Sequence, residues 1–339
     1  MSLIELWDET FSVYSFNNPE YSRACLHLTI GTLLKDCRIR REGTKTDPRI
    51  SVLYLKPTFS GGSAGFDMVA KIFRDLELKP QKITDATDAA LIGSIEKGGD
   101  GNPVQIKGIL DKSLSDLVYW GEASILFNKK LPPHQQKTMN YIQMGLNPID
   151  SEESKLRKPM RDGTVECDVE ASLLMVTYPP KELDDQILSS GFIQRSLFIP
   201  KTLDLEGRLN NIKEDIKRYC SGIDVKSKME SIVNRLKEVR DQYPTGTEFT
   251  IDPEAIGYFE KKEEDILKPF RKSNERVQTY MGAIIASTVR KSTAIAMHHC
   301  AITRPGETTI TEADLEYALK DVLKPQMDMI HEYLGVTEK

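Results

Sequence analysis

Apolar positions first recur at helical spacing between Pro19 and Lys35, where Tyr21, Ala24, Cys25, Leu28, Ile30 and Leu33 fall on one face. Asn18 ahead of Pro19 supplies a cap and a first-turn proline. A polar, basic stretch from Lys35 to Arg49, with Gly43 and Pro48, reads as a loop. The run Ile50–Leu55 then reads as a short buried strand, Lys56–Gly65 as a glycine-rich turn, and Phe66–Leu76 as a helix with Met68, Val69, Ile72 and Phe73 on one face. Further strands are expected at Leu117–Trp120, Ser172–Thr177 and Ser196–Ile199, with a helix over Leu131–Met144 between them. The pair Asp162-Gly163 marks a hairpin turn within Lys158–Val169. Strands alternating with helices predict an α/β core.

After Pro200 the pattern is charged and helical as far as Tyr243. A short strand is expected at Glu248–Ile251, and Asp252-Pro253-Glu254 opens a capped helix. Two long helical stretches, Val277–Cys300 and Thr311–Tyr333, complete the chain. These shifts divide it into an N-terminal helical segment (1–49), an α/β core (50–200) and a C-terminal helical domain (201–339).

The strand, glycine loop and helix around residue 60 have the layout of a phosphate-binding P-loop, in which backbone N–H groups curl around phosphates, a Lys neutralises them and a Ser/Thr holds Mg²⁺. The matching window is Ser60, Gly61, Gly62, Ser63, Ala64, Gly65, Phe66 and Asp67. Phe66 stands where the Lys belongs and Asp67 where the Ser/Thr belongs, and a carboxylate close to a triphosphate is repelled. Lys56 and Lys71 are the nearest other cations. A second strand, Leu117–Trp120, should end in the acids that hold Mg²⁺ and polarise water; Gly121 occupies the first acidic position and Glu122 the second. The frame is kept while its charged groups are lost at two places, so no cofactor is expected, with ATP and Mg²⁺ as the alternative.

With these segments in order, the chain resembles the helicase-like P-loop ATPases encoded beside primases in phages, plasmids and archaea, relatives of the RecA-like and AAA+ ring motors. The similarity is carried by the glycine loop, Thr84–Leu91, Gly121-Glu122-Ala123-Ser124, Ala171–Pro180, Gly191-Phe192-Ile193-Gln194-Arg195 and Ile310–Asp314, and it spans about Pro19 to Tyr333. It implies a RecA/AAA+-like P-loop NTPase core with helical N- and C-terminal parts. It also implies that Thr177 would be the polar sensor on the central strand and Arg195 the arginine that reaches a neighbouring subunit's γ-phosphate in a homo- or hetero-oligomeric ring; Glu122, at a strand end, reads as a helix cap, or as the base if the helicase is active.

Composition narrows the partners. With 46 basic against 51 acidic residues the net charge is −5, which excludes a histone-like grip on nucleic acid but leaves room for a local basic patch. Lys155, Arg157, Lys158 and Arg161, on or beside the hairpin, form such a patch; family members use a hairpin of this kind to track DNA, and four cations would give salt-dependent binding. Arg38, Arg40 and Arg41 are a second candidate. No apolar run approaches the roughly 20 residues of a membrane span. Five scattered cysteines without a Cys-x-x-Cys pair fit reduced thiols, and with the acidic start they predict a cytoplasmic protein. His298-His299-Cys300 is read as part of a packed helix, since neighbours on a helix point about 100° apart, and no metal is expected.

Three functions follow as expectations: a noncatalytic DNA-binding or assembly subunit in DNA replication or mobile-element maintenance, an active ATP-dependent helicase or translocase, and a scaffold that keeps only the fold.

Overall fold

The computed structural model describes the chain apart from residues 16–17, 42–43, 57–61, 84–86, 100, 122, 128–131, 147–154, 180–191, 201–204, 221–223, 269–274 and 334–339. Its centre is a parallel five-stranded sheet built from β3 (Ser51–Leu55), β4 (Pro80–Ile83), β7 (Leu117–Trp120), β10 (Ser172–Thr177) and β11 (Ser196–Pro200), in the order β11-β3-β10-β7-β4.

The inner strands are apolar almost throughout because both faces of the sheet are covered. Alternate residues enter two separate cores. Val52, Tyr54, Leu117, Tyr119, Leu174, Val176, Leu197 and Ile199 pack on one side. Leu53, Leu55, Val118, Trp120, Leu173, Met175 and Phe198 pack on the other.

The first core is filled by three helices, α1 (Leu3–Ser15), α2 (Pro19–Leu33) and α3 (Gly62–Asp75), and by elements from the end of the chain. Asn18 caps α2 through the Tyr21 amide, as its place before Pro19 predicts. The second core is covered by α4 (Asp88–Ile92), α5 (Pro133–Gly145) and two hairpins. These hairpins are β5 (Gly93–Lys97) with β6 (Pro103–Lys107), and β8 (Lys155–Met160) with β9 (Gly163–Asp168).

The basic segment expected as a loop contains β1 (Arg38–Arg41) and β2 (Thr44–Thr46). They join β12 (Glu248–Ile251) and β13 (Thr309–Ile310) in a second sheet, ordered β13-β12-β1-β2. The first and last of the three sequence segments therefore share one sheet and one core. The remaining helices are α6 (Phe192–Arg195), α7 (Leu205–Cys220), α8 (Val225–Gln242), α9 (Pro253–Leu267), α10 (Glu275–Thr303), α11 (Glu312–Tyr317) and α12 (Lys324–Tyr333), with a π-helical turn at Ala318–Leu323. Among the described residues no helix is long and apolar enough to cross a membrane.

Candidate functional site

The strands β3, β7 and β10 all point their carboxyl ends to the same edge of the large sheet. At that edge the Lys56 amide donates to the Thr177 carbonyl at 2.8 Å, which holds the start of the glycine loop beside the end of β10. Ser60 and Gly61 lie outside the described residues, as does Glu122. Gly62, Ser63, Ala64, Gly65, Phe66 and Asp67, of which the first four are expected as loop, are instead the opening turns of α3.

Packing explains this early start. The Tyr21 hydroxyl donates to the Gly62 carbonyl at 2.9 Å, and Tyr21 stacks on Tyr54 at 4.1 Å. A Cβ on Gly65 would stand 2.7 Å from the Tyr21 ring and 2.8 Å from the Phe11 ring. A Cβ on Gly62 would meet the Lys56 side chain at 2.5 Å. Both glycines are thus needed for close approach of neighbouring side chains within this chain.

Phe66 is buried, and its ring stacks on Tyr119 of β7 at a centroid distance of 4.0 Å and an interplanar angle of 13°. The same Tyr119 ring lies 3.0 Å from where a Cβ on Gly121 would be. Phe66 and Gly121, the two positions the sequence comparison expects to differ from a Lys and an acid, therefore meet across one aromatic ring. Such a stack is worth about 0.5–1.5 kcal/mol beyond the area it buries. A lysine at 66 would place its ammonium in this apolar contact, and an acid at 121 would crowd the ring. Asp67, by contrast, is exposed on α3.

Polar groups also stand at this edge, among them Lys82, whose ammonium lies 5.7 Å from the centroid of the Tyr119 ring. Lys56 lies across the first turn of α3, with its Nζ 3.4 Å from the Cβ position of Gly62. Thr177 is buried and its hydroxyl has no hydrogen-bond partner. Lys71 is exposed on α3.

Arg195 is at the other end of the sheet. It closes α6 immediately before β11, so it stands by the amino ends of the strands, about 17 Å from the loop at roughly 3.3 Å per strand residue. There it lines a small polar cleft with Asp47, Arg49, Ser51, Gly145, Leu146, Ala171 and Arg290. Asp47 accepts from the Arg49 amide at 2.8 Å, from its Nε at 2.8 Å and pairs with its Nη2 at 2.7 Å. Burial pushes the Asp47 carboxyl up, but the charges of Arg49 and Arg290 and the Arg49 hydrogen bonds outweigh it and hold the group below the usual carboxylate range. Arg49 is itself buried, and its Nη1 has no hydrogen-bond partner. Leaving such a group unpaired costs about 1–3 kcal/mol or more. The pair Asp47-x-Arg49 is visible in the sequence, but Arg290 is too distant along the chain for any motif to connect it.

The basic hairpin forms as expected, with Arg161 and Asp162 at its turn. Lys155, Arg157 and Arg161 are exposed. Lys158 corrects the expectation of four solvent-facing cations: its ammonium pairs with Asp88 at 3.0 Å, its side chain is 11% exposed, and it ties β8 to α4. Arg157 pairs with Glu166 at 3.1 Å across the hairpin. The hairpin does not project alone, because Glu166 exchanges hydrogen bonds with the Gln105 side chain of β6. In the second basic candidate, Arg38 donates to the carbonyls of Lys35 and Cys37, while Arg40 is exposed.

Among the described residues no three metal-ligating side chains converge. The adjacent histidines on α10 turn to different partners: His298 Nε2 donates to the Pro48 carbonyl at 2.9 Å and His299 bonds Asp314 at 2.8 Å. No protein-family model matches the chain, and no curated protein matches it.

Proposed function

We propose that the chain is a helicase-like protein of the RecA/AAA+ P-loop kind that has given up nucleotide chemistry and serves as a noncatalytic DNA-binding or assembly subunit in DNA replication or mobile-element maintenance. The observation that carries this reading is the unit of Phe66, Tyr119 and Gly121, in which aromatic packing occupies the two positions that a nucleotide-hydrolysing site would fill with charge.

The sheet order supports the frame. Chain connections from β3 run toward β4 at one edge, while β11 lies on the other side of β3, so the switch in direction falls at β3 and β10. In open α/β sheets, ligands bind at the carboxyl ends of the strands at such a point, and this is where the glycine loop lies. Arg195, at the opposite edge, is out of reach of its own loop, which fits an arginine that acts on a partner subunit in a ring. Exposed Lys155, Arg157 and Arg161 support contact with a DNA backbone.

The test is titration of the full chain with a fluorescent ATP analogue with and without Mg²⁺, followed by ATPase assays on DNA. The reading expects no Mg²⁺-dependent binding and no turnover, together with DNA binding that weakens as salt rises. An active, unconventional nucleotide site is the second reading, favoured by Lys56 across the start of α3 and by the unpartnered Thr177 hydroxyl. Mg²⁺-dependent binding that disappears in Lys56→Ala would establish it instead.

A further inference from the structure

We propose that α7 is the docking surface for a second copy of this chain, which it meets through the same helix running in the opposite direction. The sequence of α7 repeats apolar residues at alternating spacings of four and three: Leu205, Leu209, Ile212, Ile216 and Tyr219. That is the seam of a two-stranded coiled coil, with Leu209 and Ile216 at heptad position a and Leu205, Ile212 and Tyr219 at d. In the structure Leu209, Ile212 and Ile216 are 48%, 37% and 61% exposed. Among the described residues neither core takes a side chain from this helix. The next helix, α8, buries its own apolar stripe, Met229, Ile232, Val233, Leu236 and Val239, in the first core.

Charge complementarity identifies what covers the seam and in which direction. The flanking e positions hold Glu206 and Lys213, both exposed, and the sequence puts Arg208 and Asp215 at the g positions. Charges at e and g set partner choice and orientation in coiled coils. In an antiparallel pair e faces e and g faces g. With Leu209 opposite Ile212 of the second copy, Glu206 comes beside Lys213, and the two g positions of opposite sign, 208 and 215, face each other. Two-fold symmetry repeats each match. In a parallel pair g faces e of the following heptad, which sets Arg208 against Lys213 with like charge.

The length of the helix fits a weak, specific dimer. Its 16 residues span about 24 Å, a little over two heptads. A helix this short is marginal in isolation, but each copy presents it from a folded chain, so less conformational entropy is lost on pairing. The contact uses one patch on both copies and closes at two, which sets it apart from the head-to-tail contacts of a ring. It does not depend on nucleotide chemistry at the glycine loop.

The experiment is analytical ultracentrifugation of the full chain at constant ionic strength, without DNA or nucleotide, over roughly 1–200 µM, where so short a seam should associate. A monomer–dimer equilibrium is expected. Ile212→Glu and Ile216→Glu, at exposed positions, should each leave the circular dichroism unchanged and shift the equilibrium to monomer. Lys213→Glu should weaken the dimer by about tenfold, because it sets a carboxylate against Glu206 twice. Combining it with Glu206→Lys should restore the dimer. A parallel pair has the opposite sign: there Lys213→Glu would relieve the clash with Arg208 and tighten the dimer. The proposal is overturned if the chain stays monomeric throughout, if a dimer or a larger ring survives both isoleucine variants, if Lys213→Glu tightens the dimer, or if the double charge swap fails to restore it.

Discussion

The two edges of the large sheet are built on opposite principles. At the carboxyl edge, Phe11, Tyr21, Tyr54, Phe66 and Tyr119 close around the start of α3, and the two glycines there make room for neighbouring side chains. At the amino edge, Arg49, Arg195 and Arg290 gather around Asp47, and a buried guanidinium nitrogen stays unpaired. The edge that looks like a ligand site in the sequence is stabilised by apolar packing, while the edge without a motif holds the concentrated charge. A glycine-rich turn between a strand and a helix therefore establishes a backbone path, and only its neighbours decide whether that path holds phosphate or packs as core.

The comparison is broken most directly at Phe66. If the carboxyl edge is packing, Phe66→Ala should cost about 3–5 kcal/mol, as for other buried Phe truncations, measured by urea unfolding. A cost below about 1 kcal/mol would mean that the Tyr119 stack does not support the fold.

The amino edge should answer to acid. His298 is buried against the Pro48 carbonyl, between Asp47 and Arg49 in sequence, and burial pushes it down to about 4 from an ordinary value of 6.5. Because the folded value is the lower one, its contribution is complete above pH 6.5 and is lost as pH falls from there toward 4. The loss should reach about 3 kcal/mol by the low end of that window, read as a falling urea midpoint. His298→Gln should flatten this part of the profile. An unchanged slope in that variant would separate acid sensitivity from the amino edge.

A smaller effect tests the glycine argument. Gly→Ala inside a helix normally stabilises by roughly 0.5–1 kcal/mol. At Gly65 the new methyl meets the Tyr21 and Phe11 rings, so Gly65→Ala should instead destabilise by about 1–3 kcal/mol. A gain in thermal stability would show that these rings yield easily.

The hairpin cations sharpen the picture at the lowest energies. Arg157→Ala should change stability by less than about 1 kcal/mol, since its pair with Glu166 is exposed. Arg161→Ala should leave folding intact and lower the salt dependence of DNA binding by about one ion. Lys158→Ala should weaken the attachment of β8 to α4 more than it weakens DNA binding. Equal losses of DNA affinity in all three variants would restore the view of the patch as one surface.

The inner strands were legible from sequence because burial on both faces demands nearly unbroken apolar runs, as in Leu117–Trp120 and Ser172–Thr177. Helix α1 carries its own signal, with Leu3, Leu6, Trp7, Thr10 and Phe11 at helical spacing beside the acidic residues of its start. Strand β1 was not legible: Arg38–Arg41 is too polar to read as a strand, and it pairs with β12 more than two hundred residues away. Of the candidate site, the loop, Thr177 and the hairpin were found, but the role of each depended on neighbours. Lys158 looked like its three companions until Asp88 claimed it.

By itself, the sequence determined the local elements: where the backbone can turn, which runs must be buried, and that a glycine-rich turn joins a strand to a helix near residue 60. These follow from side-chain periodicity and residue chemistry within a few turns of chain. Tertiary structure alone decided that Phe66 and Gly121 meet at Tyr119, that Arg195 stands at the far edge of the sheet, and that Arg49 and Arg290 join it. Such contacts link residues separated by tens to hundreds of positions, and local periodicity carries no information about which distant side chains the folded core will bring within a few ångströms.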